Sequence, residues 1–146
     1  MGWFNDKDTV QKKSALRNAV AVMLADGKVE PNEVATLGFI CKRLGLEPSV
    51  LNEIVANPGQ IEFVVPQDPT EKVRQLADVV FMMMADGNIN QKELDCCRAV
   101  ALGLGFHAST VVDVILGIAE AIKNGVNRDQ TVRVAENILG KSPSLV

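Results

Sequence analysis

The stretch Val20-Ala21-Val22-Met23-Leu24-Ala25-Asp26-Gly27-Lys28-Val29-Glu30-Pro31-Asn32-Glu33 returns sixty residues later as Val80-Phe81-Met82-Met83-Met84-Ala85-Asp86-Gly87-Asn88-Ile89-Asn90-Gln91-Lys92-Glu93. In both copies an apolar run stops at Ala-Asp-Gly, and a glutamate closes the segment. The same offset aligns residues 19–58 with 79–118 without a gap and adds the identities Leu44/Leu104, Gly45/Gly105 and Ser49/Ser109. Upstream, Lys12/Lys72 and Leu16/Leu76 continue it. Self-similarity at a fixed offset is the mark of one supersecondary unit used twice.

Each unit opens with a helix, over about 8–25 and 69–85, whose last turns are apolar around most of the circumference. A helix with no polar face is buried on most sides, so these two are expected at the centre of the fold. Gly27 and Gly87 suit the left-handed position past a helix end. The next helix starts at once, with Pro31 at N1 and Glu33 at N3 in one unit and Asn90 at N-cap with Glu93 at N3 in the other. Its apolar face recurs at Val34, Leu37, Cys41 and Leu44, then at Leu94, Cys97, Ala101 and Leu104, which is helical spacing. Gly45 and Gly105 end these helices, with Leu46 or Phe106 folding back as in a Schellman motif.

A third helix follows in each unit, Pro48 to Asn57 and Ala108 to Lys123, and a further one runs over 127–139. Residues 61–65 are open to either a short extended piece or a helical turn. Gly38, Gly103 and Gly117 fall inside helices, where each costs about 0.8–1 kcal/mol against Ala and so implies a close helix contact. The sequence thus predicts an all-α fold of about seven helices. It forms one domain over 1–146, with units 8–58 and 68–124 related by a pseudo-twofold rotation and a C-terminal helix 127–139.

Composition narrows the function. The 146 residues are 47% hydrophobic, 23% charged and 4% aromatic, which excludes disorder and allows a core without staples. Fifteen Lys and Arg against eighteen Asp and Glu give a net charge of −3 with no basic run, so nucleic acid is not an expected partner. No apolar stretch reaches the roughly 18–20 residues of a membrane span, and no signal peptide is evident. Three cysteines, two of them adjacent, suit a reducing compartment, so the expected location is the cytoplasm. One histidine and no tyrosine leave little acid-base chemistry, and no nucleophile-base pair or phosphate loop is visible, so an enzyme is not expected.

The repeated loop carries the candidate chemistry. Its pattern D-G-x-[VI]-x-x-x-E matches positions 5 to 12 of an EF-hand calcium loop. Positions 1 and 3 fall on Val22 and Leu24, then on Met82 and Met84, which cannot serve a hard cation, so a full EF-hand is excluded. What remains is a partial oxygen site for a divalent cation, calcium or magnesium: Asp26, Glu30 and Glu33 with the Lys28 carbonyl, and Asp86, Asn90 and Glu93 with the Asn88 carbonyl. Helix geometry alone also accounts for the glycine and the N3 glutamate. It accounts less well for an aspartate at a helix C-terminus, which opposes the macrodipole by roughly 0.3–1 kcal/mol. An Asx-turn or a cation can offset that cost.

The twin Ala-Asp-Gly-x-[Val/Ile]-x-x-x-Glu motif, at Ala25 to Glu33 and Ala85 to Glu93, follows an apolar helix and precedes Leu-Gly-[Leu/Phe] in both units. With that context the chain resembles the TerB-like family of tellurite-resistance proteins over roughly residues 8 to 139. The resemblance implies an all-helical, internally symmetric fold, no catalysis, a role in bacterial tellurite or stress resistance, and metal chelation by acids matching Asp26, Glu33, Asp86 and Glu93. The same module resembles the N-terminal part of a membrane-anchored DnaJ-type co-chaperone, although this chain has no J-domain His-Pro-Asp. The expected function is therefore a non-catalytic interaction module with a protein partner. The alternatives are a degenerate EF-hand-like calcium-binding protein and a co-chaperone-type adaptor.

The remaining reactive side chains have plainer readings. Met82, Met83 and Met84 diverge around a helix and are expected as core filling. Cys41, Cys96 and Cys97 are expected as small buried hydrophobes. His107 precedes a helix and suits an N-cap place. Trp3 and Phe4 are expected to pack on the core, with a partner or a peripheral membrane contact as the other use of terminal aromatics.

Overall fold

Pro69 cannot donate a backbone hydrogen bond, and Asp68 before it accepts one at Oδ1 from Thr70 N at 3.1 Å, so a helix starts there. Such local signals set the boundaries throughout the structure, a computed structural model. It describes residues 9–23, 35, 38, 41, 42, 47, 49, 52, 53, 56, 64–84, 89 and 91–140. Five helices are bounded among them: α1 (Thr9–Met23), α2 (Pro69–Met83), α3 (Gln91–Gly103), α4 (Ala108–Lys123) and α5 (Arg128–Gly140). Ala35, Gly38, Cys41 and Lys42 are helical as well, as are Ser49, Asn52 and Glu53. The described residues contain no strand, and the fold is all-α.

The helix ends follow the glycine chemistry. Gly105 has φ +100°, and past α3 Phe106 N donates to Ala101 O while Gly105 N donates to Leu102 O, both at 3.0 Å. That pair of bonds is a Schellman motif and places Phe106 against the core, where it is buried. Gly125, with φ +79°, repeats it after α4 through Val126 N to Ala121 O and Gly125 N to Ile122 O. Lys72 places its ammonium beside Gly105, at the negative end of the α3 dipole. His107 is the N-cap of α4 with an extended backbone, and Asn127 Oδ1 caps α5 by accepting from Gln130 N at 2.9 Å.

α2 is the centre. Val73, Leu76, Ala77, Val79, Val80, Met82 and Met83 are buried along it, and Met84 at its C-cap is buried too. Three consecutive methionines point in three directions, so their joint burial means that the end of α2 is enclosed on most sides, Phe81 being half-buried, as its sequence predicts. α2 packs against α1, α3, α4 and α5, and the core they share also takes in Cys41. Of the apolar run of α1, expected as a second central helix, the Met23 side chain and Leu24 lie outside the described residues. Ala15, Leu16, Ala19 and Val20 are buried, but Lys13 and Arg17 are exposed and Ala21 and Val22 half-buried. Both helices keep charged side chains at solvent, Lys13 and Arg17 on α1 and Glu71 and Arg74 on α2.

The helical glycines divide. A Cβ built at Gly117 would overlap Cδ1 of Ile138, so this glycine lets α4 and α5 close on each other. Gly38 corrects the expectation of a close contact among the described residues, since a Cβ there meets none of them within 4 Å. Gly103 is exposed in the last turn of α3. Among the described residues no helix is long and apolar enough to cross a membrane. Two substitutions should consequently move stability in opposite directions in urea unfolding. Gly117→Leu forces α5 away and should cost about 1–3 kcal/mol, whereas Gly38→Ala, free of overlap with the described residues, should add about 0.4–1 kcal/mol.

Candidate functional site

Asp26, Glu30, Glu33, Asp86 and Asn90 lie outside the described residues, as do Trp3 and Phe4. Glu93 is described: it is half-buried in the first turn of α3, the N3 place its spacing predicts. Its carboxylate lies close enough to Cys97, one turn on, to act on that thiol. Burial first, then the neighbouring Cys96 and Glu93, push the Cys97 thiol well above its ordinary value of 9.0. Burial also raises Cys41. Both thiols are therefore protonated and unreactive at neutral pH, consistent with the core role expected of them, whereas Cys96 is half-buried. Among the described residues no three His, Cys, Asp or Glu side chains gather as a metal site.

His107 Nδ1 lies 3.0 Å from Ser109 Oγ, the one imidazole-hydroxyl pair of the described residues. Both groups are exposed at the start of α4, and among the described residues no carboxylate hydrogen-bonds to the ring to orient it. The contact is local to the helix N-terminus and lacks the third member of a nucleophile-activating set.

The polar chemistry inside the described structure lies elsewhere, on α1, α2 and the first residue of α5. Asn18 is buried in the apolar stripe of α1. Its Oδ1 accepts from Val64 N at 2.9 Å and its Nδ2 donates to Val64 O at 2.8 Å, so one amide holds both backbone groups of Val64. Nδ2 also donates to Oε1 of Gln75 on α2. The 61–65 segment, open to two conformations on sequence, thus contributes at Val64 a backbone that is neither helical nor paired in a sheet. It is held by a side chain instead.

One turn along α2 from Gln75, the Asp78 side chain is only 2% exposed. Arg128, 13% exposed at the first position of α5, meets it with two bonds, Nε to Oδ1 at 2.8 Å and Nη2 to Oδ2 at 2.9 Å. This fork places two parallel donors on two acceptors, the strong geometry for an arginine-carboxylate pair, and it fixes the first turn of α5 on α2.

Between α1 and α2 lies a cavity of about 230 Å³, with Asp78, Arg128 and Gln75 among its lining residues and Val64 and Pro66 on the side of the non-helical strap 64–66. Ser14 and Arg17 border it from α1, and Glu71, paired with Arg74, from the first turn of α2.

None of Asn18, Gln75, Asp78 or Arg128 belongs to the sequence-derived candidate site, yet a signal exists. Asn18 and Asp78 stand one repeat apart, at equivalent places of the two apolar helices. A polar residue on a stripe expected to be buried all round must find an internal partner. A scan of protein-family models gives no match to this chain, and neither do searches of curated proteins and of solved structures.

Removing one member of the Asp78–Arg128 pair takes both bonds of the fork away from a buried charge. Arg128→Met should therefore lower stability by about 3–5 kcal/mol in urea unfolding. The double variant Asp78→Leu/Arg128→Met should recover most of that loss, since a well-packed apolar pair replaces an ion pair at little cost.

Proposed function

We propose that this chain is a non-catalytic interaction module of the TerB-like kind. It consists of two pseudo-twofold units, 8–58 and 68–124, with the helix 127–139 closing the domain. The module acts in the cytoplasm by binding a protein partner, in a bacterial stress response resembling tellurite resistance. The observation that carries this reading is the twin Asp-Gly motif at a sixty-residue offset. The all-α architecture supports it, and so does the sequence position of Asp86 and Gly87 between the bounds of α2 and α3. Connections are where a rigid helical scaffold presents binding groups. The two loops are its proposed partner surface, since Asp26 and Asp86 are repeated acids that core packing does not require.

A divalent cation, calcium or magnesium, is part of the reading as a weak ligand of the same loops. The first loop, with three side-chain carboxylates at Asp26, Glu30 and Glu33, is preferred over the second, which has two at Asp86 and Glu93. Half of the EF-hand ligands are missing, so affinity belongs in the weak class, about 10⁻⁴–10⁻³ M for calcium.

Affinity capture from the native cell with wild-type protein and with Asp26→Ala/Asp86→Ala tests the reading. The wild type should retain a partner that the folded double variant loses, and calcium should shift amide resonances of the wild-type loops but not of the variant's. Equal recovery of every partner by the double variant contradicts the loop surface. Submicromolar calcium binding by the wild type would instead favour the EF-hand-like alternative.

A further inference from the structure

The walls of the cavity between α1 and α2 are unequal in hydrogen-bonding demand. Its carboxylates are engaged, Asp78 by Arg128 and Glu71 by Arg74. Three of its donors are not. Among the described residues the Arg17 guanidinium, Ser14 Oγ and Gln75 Nε2 have no hydrogen-bond partner.

The orientation of Gln75 follows from backbone chemistry. Val64 N can only donate and Val64 O can only accept, so Oδ1 and Nδ2 of Asn18 are unambiguous. Because Nδ2 is the donor toward Gln75, that residue turns its oxygen to Asn18 and keeps its two N–H groups for another acceptor. Ser14 and Arg17, three residues apart, share a face of α1, as Glu71, Gln75 and Asp78 share one of α2.

Charge points the same way. With Asp78 paired to Arg128 and Glu71 to Arg74, Arg17 is the lining cation in no ion pair among the described residues. Val64 and Pro66 add carbon surface on the strap side. The volume of about 230 Å³ lies below the roughly 300–1,000 Å³ of pockets for drug-sized ligands, which suits an occupant of a few carbon atoms.

We propose that this cavity binds a small monocarboxylate. The carboxylate oxygens accept from Arg17, Gln75 Nε2 and Ser14 Oγ, and a short alkyl chain lies against Val64 and Pro66. The same chemistry is offered by the free C-terminus of a peptide; the small volume favours the free small molecule, and the peptide is an outcome of the test.

The test is an amide NMR titration of the full chain with sodium butyrate, alongside butyramide, inorganic phosphate and an acetylated tripeptide with a free C-terminus. Butyrate should give saturable shifts at Val64 and Gln75. Arg17→Met, at an exposed position and with unchanged thermal melting, should weaken binding by about tenfold or more, the loss of one charge-assisted contact. Butyramide should bind at least as weakly to the wild type. The proposal is overturned if butyrate shifts do not saturate, if Arg17→Met binds as the wild type does, or if butyramide or phosphate matches butyrate. Tighter binding of the tripeptide than of butyrate overturns the assignment to a small molecule.

Discussion

Enclosure of α2 is the constraint on which the rest of the structure depends. A helix whose successive residues Met82, Met83 and Met84 are all buried cannot be covered by one neighbour, and α2 is covered by α1, α3, α4 and α5 together. Burying a side chain of that size is worth about 1.5–3 kcal/mol, so the apolar run of α2 supplies a large part of the driving force and dictates where the other helices lie. The Schellman turns at Gly105 and Gly125 follow from the same demand, because they reverse the chain sharply enough for α4 and then α5 to return to the core.

A buried helix face leaves no solvent for a polar side chain, and the buried polar residues of α1 and α2 are handled alike. Asn18 and Asp78 occupy equivalent places of the two units. Each reaches forward to a later segment of chain, Asn18 to Val64 46 residues on and Asp78 to Arg128 50 residues on. Apolar packing is non-directional and tolerates sliding, whereas an amide gripping both groups of one residue and a forked guanidinium-carboxylate pair each admit a single placement. The strap at Val64 and the start of α5 are positioned by these contacts, and the cavity between α1 and α2 is bounded by the same residues.

Much of the fold was legible in the sequence because its signals are local. Pro69, Gly105, Gly125 and the 3.6-residue spacing of Cys97, Ala101 and Leu104 mark helices that the structure bounds within a few residues. Gly117 was readable as a close contact, but Gly38 was not distinguishable from it, since space around a glycine depends on the facing element. The interior polar groups were not identified from sequence for the same reason. Asn18 and Asp78 are conspicuous on apolar stripes, but their partners are 46 and 50 residues away and no spacing rule links them. Of the acids read as a cation site, Glu93 is at its expected N3 place, and the remaining ligands lie outside the described residues.

Native-state hydrogen exchange of the amides in α2 tests the central role of that helix most directly. Amides of Leu76 to Met83 should exchange only through global unfolding, with an opening free energy equal to that from urea denaturation and at least as high as any in α1, α4 or α5. If the α2 amides open at a lower free energy than those of α4 and α5, α2 is not what the other helices are assembled around.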